Sequence, residues 1–122
     1  MLVRLSQIAA TILMLCCLAA CSEDPKPPEM KVVIGAGARI DGVLQDRSAV
    51  VIADDKIQAA GAQGDVPIPA GSDKTDLTGK FLIDVPAAGS QATFTVLVCN
   101  PESDASCRGK VLRHMKDGKW ID

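Results

Sequence analysis

Five cysteines and one histidine carry most of the reactive chemistry available to this 122-residue chain. His114 stands alone, and one histidine cannot build a histidine-rich zinc site. Cysteines joined in a disulfide have no thiolates to lend a metal, so no metal cofactor is expected. A general-base role would need an orienting partner that the sequence does not identify, and the plainer reading of His114 is a surface or half-buried strand residue. Asp54-Asp55 pairs two acids, but in a turn pattern where Asp hydrogen-bonds its own backbone. The serines at 48, 72, 90, 103 and 106 lack the strand–elbow–helix context of a hydrolase nucleophile. Gly35-Ala36-Gly37 could open a dinucleotide fingerprint, yet Ile40 occupies the third glycine position. The residues after it have a strand pattern, not that of the helix whose N-terminus would face a pyrophosphate. No catalytic residue, cofactor or ligand-binding residue is assigned on these grounds, and the chain is not expected to be an enzyme.

The remaining cysteines fall into two groups. Cys16, Cys17 and Cys21 lie in or directly behind an apolar run, Ile8 to Leu18, with Arg4 ahead of it. That run is the length of a signal-peptide core and too short for a mature membrane-spanning helix. It closes on Leu18-Ala19-Ala20-Cys21, which resembles the lipobox of bacterial lipoproteins. The resemblance implies that residues 1–20 are a signal peptide and that Cys21 is the lipid attachment site. It places the chain in the bacterial envelope, anchored to a lipid membrane through acylated Cys21 and facing the periplasm. Ser22, where retention signals use Asp, resembles sorting to the outer membrane. Removal of Cys16 and Cys17 and acylation of Cys21 leave Cys99 and Cys107, an even pair in an oxidising compartment. A disulfide between them is expected; two free buried thiols are the alternative.

Residues 21–122 are one domain's worth of chain, enough for a single core. Loss of Arg4 from 13 Lys+Arg, against 15 Asp+Glu, leaves a net charge of about −3. A weakly acidic surface with no basic cluster argues against nucleic-acid binding, which needs a positive face. Phe81, Phe94 and Trp120 are the only aromatics, so the core must be built from Val, Ile, Leu and Ala.

The elements that would hold these residues are strands. Residues 21–30 are the lipidated cysteine and a proline-rich tether, Ser22 to Met30, extended and unable to bury a core. Lys31 to Ile34 is a strand pattern, followed by a bend or bulge at Gly35-Ala36-Gly37. Arg39 to Leu44 comes next, broken at Asp41-Gly42. Ser48 to Ala53 and Lys56 to Ala60 read as a hairpin about Asp54-Asp55. Gly61 to Gly71 is loop. Asp73 to Leu77 is a short edge strand and Lys80 to Ile83 another strand. Val85 to Gln91 is turn-rich. Ala92 to Val98 alternates with Phe94, Val96 and Val98 on one face, and Asn100 to Gly109 is a polar loop. Val111 to Lys116 and Lys119 to Asp122 make a terminal hairpin about Asp117-Gly118, the strongest turn dipeptide available. Beyond the signal helix no window sustains helical periodicity. Short strands at roughly 8- to 12-residue spacing predict an all-β fold, a small β-sandwich or partly open barrel.

Val32 to Asp84 resembles the opening of amidohydrolase-superfamily enzymes. The matching pieces are Arg39-Ile40-Asp41-Gly42, then Ala49 to Ile57, then Val66 to Gly71, then Asp76 to Asp84. Ala92 to Leu97 before Asn100-Pro101, and Val111 to Asp122, resemble the end of the same enzymes. In that family the two terminal pieces meet as a non-catalytic composite β-sandwich beside a metal-dependent TIM barrel. Here Val85 to Gln91 alone joins them, and Val85-Pro86-Ala87-Ala88 stands where the family's metal-binding histidines would be. The resemblance thus implies a composite β-sandwich domain over residues 31–122 and transfers no catalytic residue. It implies that neither terminal piece folds alone. It therefore predicts that the hairpin Val111–Asp122 pairs with the sheet begun by Lys31 to Ile34, with Trp120 as a core or sheet-capping aromatic. The functional expectation is a membrane-anchored lipoprotein carrying a non-catalytic binding or structural module. The alternative is an accessory or remnant subunit of a metal-dependent amidohydrolase whose barrel is on another chain, with a protein partner at the face where a barrel would pack. An exposed apolar patch there favours the alternative; a polar, charged face favours the first reading.

Overall fold

A computed structural model describes residues 27–121. The expected signal peptide (1–20), Cys21 and most of the expected tether (22–30) lie outside the described residues. Over the described residues the fold is all-β, as the strand pattern predicts, with ten strands in two sheets. They are β1 (Met30–Ile34), β2 (Gly37–Ile40), β3 (Val43–Gln45), β4 (Ser48–Ala53), β5 (Lys56–Ala62), β6 (Asp73–Asp76), β7 (Phe81–Ile83), β8 (Phe94–Leu97), β9 (Val111–Lys116) and β10 (Lys119–Ile121). One sheet has the order β5-β4-β1-β6, the other β10-β9-β8-β7-β2-β3.

The chain changes sheets at the glycine-rich bend the sequence marks. Gly35 takes φ +86°, where a side chain is strained, and an added Cβ would sit 2.4 Å from Thr78 Oγ1. Ser48, fully buried, donates from its backbone N–H and its hydroxyl to the Ala36 carbonyl at 2.8 and 2.7 Å. β1 pairs in parallel with β6, and β2, after the bend, pairs in parallel with β7. The two segments therefore arch side by side from one sheet into the other. Gly37 opposes Phe81, whose ring lies 2.9 Å from the position of a Cβ on Gly37. The ring covers backbone there, and a larger residue would lift it off.

The core lies between the sheets. Val33, Val50, Ile52 and Ile57 from one meet Ala38, Ile40, Leu82, Phe94, Val96 and Met115 from the other, all buried. Strand alternation makes this face, since residues two apart share a side. β8 breaks the expected alternation. Its pairing with β9 shifts register between Val96 and Leu97. Phe94 and Val96 stay in the core, while Val98 is 39% exposed. The regular Phe94-Val96-Val98 face is thus corrected to two residues: β8 ends at Leu97, and Val98 lies beyond the strand.

The terminal hairpin also departs from expectation. It forms about Asp117-Gly118, but β9 pairs with β8 in the six-stranded sheet, not with the sheet containing β1. Its link to the four-stranded sheet is made through its turn. Lys31 Nζ donates to the Gly118 carbonyl at 2.7 Å, Gly118 N–H donates to the Ala92 carbonyl at 3.0 Å, and the turn abuts the backbone of Asp54. Across-sandwich packing satisfies the hairpin's apolar face as well as edge pairing would. Trp120 is half-buried against the core, edge-on to Phe94 with ring centroids 6.2 Å apart and with the Arg113 guanidinium 4.0 Å above its ring.

Candidate functional site

Cys99 and Cys107 form a disulfide, with Cα atoms 5.5 Å apart. It staples the end of β8 to a 3-10 turn, Ala105–Gly109. The sequence reading of Asn100–Gly109 as plain loop missed that turn. Its signal was Asp104 two residues before Ser106, a helix-capping spacing. Asp104 Oδ1 accepts from Ser106 N–H at 3.0 Å and from its hydroxyl at 2.8 Å, and this holds the Asp104 carboxyl below its ordinary pKa. Asn100 Oδ1 likewise accepts from Glu102 N–H at 2.8 Å. Pro101 and Cys107 are buried, so the segment is a packed, crosslinked lobe, and Glu102 is presented from it.

Glu102 meets Arg39 of β2. Ala38 and Ile40 face the core, so strand alternation turns Arg39 to the outer face of the six-stranded sheet. There Arg39 Nη2 and Nε bind the two carboxylate oxygens of Glu102, and Nη1 donates to the Gly42 carbonyl at 2.8 Å. The two-point pairing lowers the Glu102 pKa and raises that of Arg39, chiefly through the side-chain hydrogen bonds. Arg108 adds a further Coulombic pull on Glu102 in the same direction.

The lobe and the sheet enclose an open cleft of about 620 Å³ lined by Arg39, Asp41, Gly42, Leu82 to Val85, Pro101, Glu102 and Arg108. Asp41 and Asp84 enter it from residues at φ +51° and +60°, conformations that Asp tolerates better than most side chains. Arg39 is committed to Glu102 and the turn. Arg108 makes no ion pair among the described residues. The cleft therefore offers a guanidinium and three carboxylates of different availability. Its charged lining is two guanidiniums, from Arg39 and Arg108, and the carboxylates of Asp41, Asp84 and Glu102.

Beside the cleft, the chain leaves β7 at Asp84 and returns at Phe94. Residues 85–93 form a hydrogen-bonded strap along the outer edge of β5. Gly89 N–H donates to the Ile57 carbonyl at 2.8 Å, Ile57 N–H to the Ser90 carbonyl at 2.9 Å, and Ala92 N–H to the Asp55 carbonyl at 2.7 Å. Ala92 is fully buried in the core and Val85 packs against it. The strap covers an edge that would otherwise present unpaired backbone.

The other residues weighed from sequence are not brought together. His114 is exposed, with Nδ1 3.1 Å from Thr95 Oγ1. Asp54-Asp55 is a hairpin turn, with Asp54 Oδ1 accepting from Glu29 N–H at 2.8 Å. The five serines share no site. Among the described residues no group of three or more His, Cys, Asp or Glu is placed to hold a metal ion. Cys21, expected from its sequence context to be the lipid attachment residue, lies outside the described residues. Nothing in the sequence tied Arg39 to Glu102; only the disulfide could have hinted that the lobe is held over β2. Compared with family models, curated proteins and solved structures, the chain matches none.

Proposed function

We propose that this chain is a membrane-anchored, non-catalytic binding module, held by acylated Cys21 and presenting the cleft between β2, β7 and the disulfide lobe to a charged, polar ligand. The observation that carries this reading is the strap. Where the resembled amidohydrolases insert a barrel, residues 85–93 instead close the edge of the sandwich with backbone hydrogen bonds. A domain awaiting a barrel from another chain would be expected to leave an apolar contact face at that point. The adjoining surface carries Arg39, Asp41, Asp84, Glu102 and Arg108 instead. This favours a free-standing module over an accessory subunit. The guanidinium and carboxylate lining of the cleft supports a recognition role.

Several acyl chains, at ~0.8 kcal/mol per buried CH₂, would hold the chain where one alone is marginal. Intact-mass measurement of the membrane fraction is expected to show an N-terminus beginning at Cys21 and carrying acyl chains, and Cys21→Ala is expected to lose membrane partition. An unmodified N-terminus, or unchanged partition of the variant, would refute the anchor. Binding partners recovered from detergent-solubilised membranes by the wild-type chain but not by Arg108→Glu would locate recognition at the cleft. Equal recovery by both would remove the cleft from the proposal.

A further inference from the structure

The outer face of the C-terminal hairpin combines aliphatic and cationic residues in a way the fold itself does not need. Met115 and Trp120 point inward, so alternation puts His114, Lys116, Lys119 and Ile121 on the opposite side. Register pairs Lys116 with Lys119 and His114 with Ile121. Like charges directly opposite each other are destabilising, and both lysines are exposed with no ion pair among the described residues. Beside them, at the bulge, Val111 and Leu112 are each 46% exposed, as is Ile121. The row across the sheet through His114 is Ile83, Thr95, His114 and Ile121, with no carboxylate.

Position relative to the tether gives this face a use. The described chain enters the domain at Glu29, whose carbonyl accepts from Asp54 N–H, and Lys31 then reaches the Gly118 carbonyl of the hairpin turn. The tether thus arrives at the turn end of β9 and β10. From Cys21 to Met30 the chain can span at most about 30 Å, so the hairpin lies within reach of whatever surface holds Cys21. The end of the sandwich at which the tether arrives is mixed in charge, with Glu29, Asp54, Asp55 and Asp117 beside Lys31 and Lys56, and Lys31 lies 3.7 Å from the Glu29 carboxylate. Cationic charge with no ion pair among the described residues lies on the hairpin face, at Lys116 and Lys119, and this is the side an anionic surface attracts.

We propose that the outer face of β9–β10 docks on an anionic phospholipid surface, Lys116 and Lys119 meeting headgroup charge while Val111, Leu112 and Ile121 enter the boundary beneath. The inference rests on the anchored reading above, since the anchor supplies the proximity. Lys and Arg beside a lipid surface act in this way within about a Debye length, and apolar neighbours add to it. The effect is to fix how the domain lies on the membrane, and the cleft, on the same face of the six-stranded sheet at β7 and β2, then opens beside the lipid surface.

The test is a nitroxide on the full chain at His114→Cys, in the middle of the face, with Lys74→Cys on β6 as the reference. In an acylated, disulfide-bonded chain the introduced thiol is the free one. Protein is reconstituted into vesicles of phosphatidylcholine with about 30% phosphatidylglycerol, a surface of the anionic kind, and into phosphatidylcholine alone. Label accessibility to oxygen is compared with accessibility to a water-soluble nickel complex. The expected result is a several-fold rise in the oxygen-to-nickel ratio at position 114 on anionic vesicles only. Position 74 should stay aqueous. The rise should vanish in ~0.5 M salt, where the Debye length falls to a few Å, and in the Lys116→Glu/Lys119→Glu variant. A label at 114 that is equally aqueous on both vesicles, or one at 74 that changes as much, overturns the docking face. Intact mass of the same sample reports acylation separately. If Cys21 is unmodified, the anchor fails, and the face is judged by the same label comparison in a chain whose Cys16, Cys17 and Cys21 are replaced by Ser, with vesicles added in solution.

Discussion

Gly118→Ala tests whether the two halves of the chain meet as described. Gly118 sits at φ +79° after Asp117 at φ +50°, the positive pair of a type I′ turn. Ala at such a position costs about 1–2 kcal/mol. At Gly118 the new methyl would also sit 2.0 Å from the Asp54 carbonyl oxygen and 2.9 Å from Asp55 Cα. Both are backbone atoms and cannot rotate away. Restoring ordinary contact requires the turn to back off by more than an ångström. That would break Lys31 Nζ to the Gly118 carbonyl (2.7 Å) and Gly118 N–H to the Ala92 carbonyl (3.0 Å). At about 1 kcal/mol net for each hydrogen bond, the total comes to roughly 3–4 kcal/mol. That is a large share of the ~5–15 kcal/mol that holds a domain together.

Gly42→Ala is the matched control. Gly42 has φ +80° after Asp41 at +51°, the same turn type, but nothing lies within 4 Å of its missing Cβ. It should bear the backbone strain alone, about 1–2 kcal/mol. Urea unfolding followed by far-UV circular dichroism gives both values, with unchanged m as the check that the denatured state is the same. Two variants destabilised equally, within about 0.5 kcal/mol of each other, would show that the hairpin turn does not rest on the Asp54 turn in solution. The sandwich closure described for this chain would then be wrong.

Replacing Cys99 and Cys107 together by Ser is expected to cost roughly 2.5 kcal/mol for so short a loop on the chain-entropy account; an unchanged urea midpoint would mean the lobe is held by its hydrogen bonds alone. The lowered pKa of Glu102 is a stabilisation present above the ordinary carboxylate range and lost as pH falls through the lowered folded value. Amide-exchange protection in residues 99–109, taken relative to the intrinsic rate at each pH, should therefore fall as Glu102 is protonated, and Glu102→Gln should already lose protection at neutral pH; a variant indistinguishable from wild type would dismiss the Arg39 pair as a latch. Trp120→Ala should cost roughly 2–3 kcal/mol, below the ~3–5 kcal/mol for a fully enclosed aromatic, because the ring is only half-buried. Water-like native Trp emission with an unchanged denaturation midpoint would contradict its packing on Phe94.

Strand positions were legible because their signals are local. Asp41-Gly42 and Asp117-Gly118 announce tight turns, and Ser48 to Ala53 is apolar on both sides because it pairs centrally between β1 and β5. The alternation in β8 was legible only as far as Val96. A bulge adds one residue on the opposing strand, and Val111-Leu112 carries no local sign of it. Sheet membership of the hairpin was misread for a related reason. β9 and β10 have one apolar face, and sequence states that it must be buried but not against which partner. The choice is made by β8, reached across a lobe whose length the disulfide hides. The Arg39–Glu102 pair spans 63 residues between two exposed side chains, a juxtaposition that composition and periodicity do not encode.

The strap shows how a short connection completes the fold. Ile57 donates to Ser90 and accepts from Gly89, so β5 gains a partner along its free edge. Ala92 then enters the core with no exposed surface, and its carbonyl accepts from Gly118 N–H. One segment thereby touches both hairpin turns: its N–H at Ala92 goes to Asp55, and its carbonyl goes to Gly118. A longer insertion between Asp84 and Phe94 could keep these bonds only if it left and returned at the same points, between Val85 and Gly89. The chain as it stands spans that gap in three residues, Pro86, Ala87 and Ala88. Neither Pro86 nor its neighbours contribute a buried side chain. Any group approaching at this position would therefore meet a closed, hydrogen-bonded edge and the charged lining of the cleft.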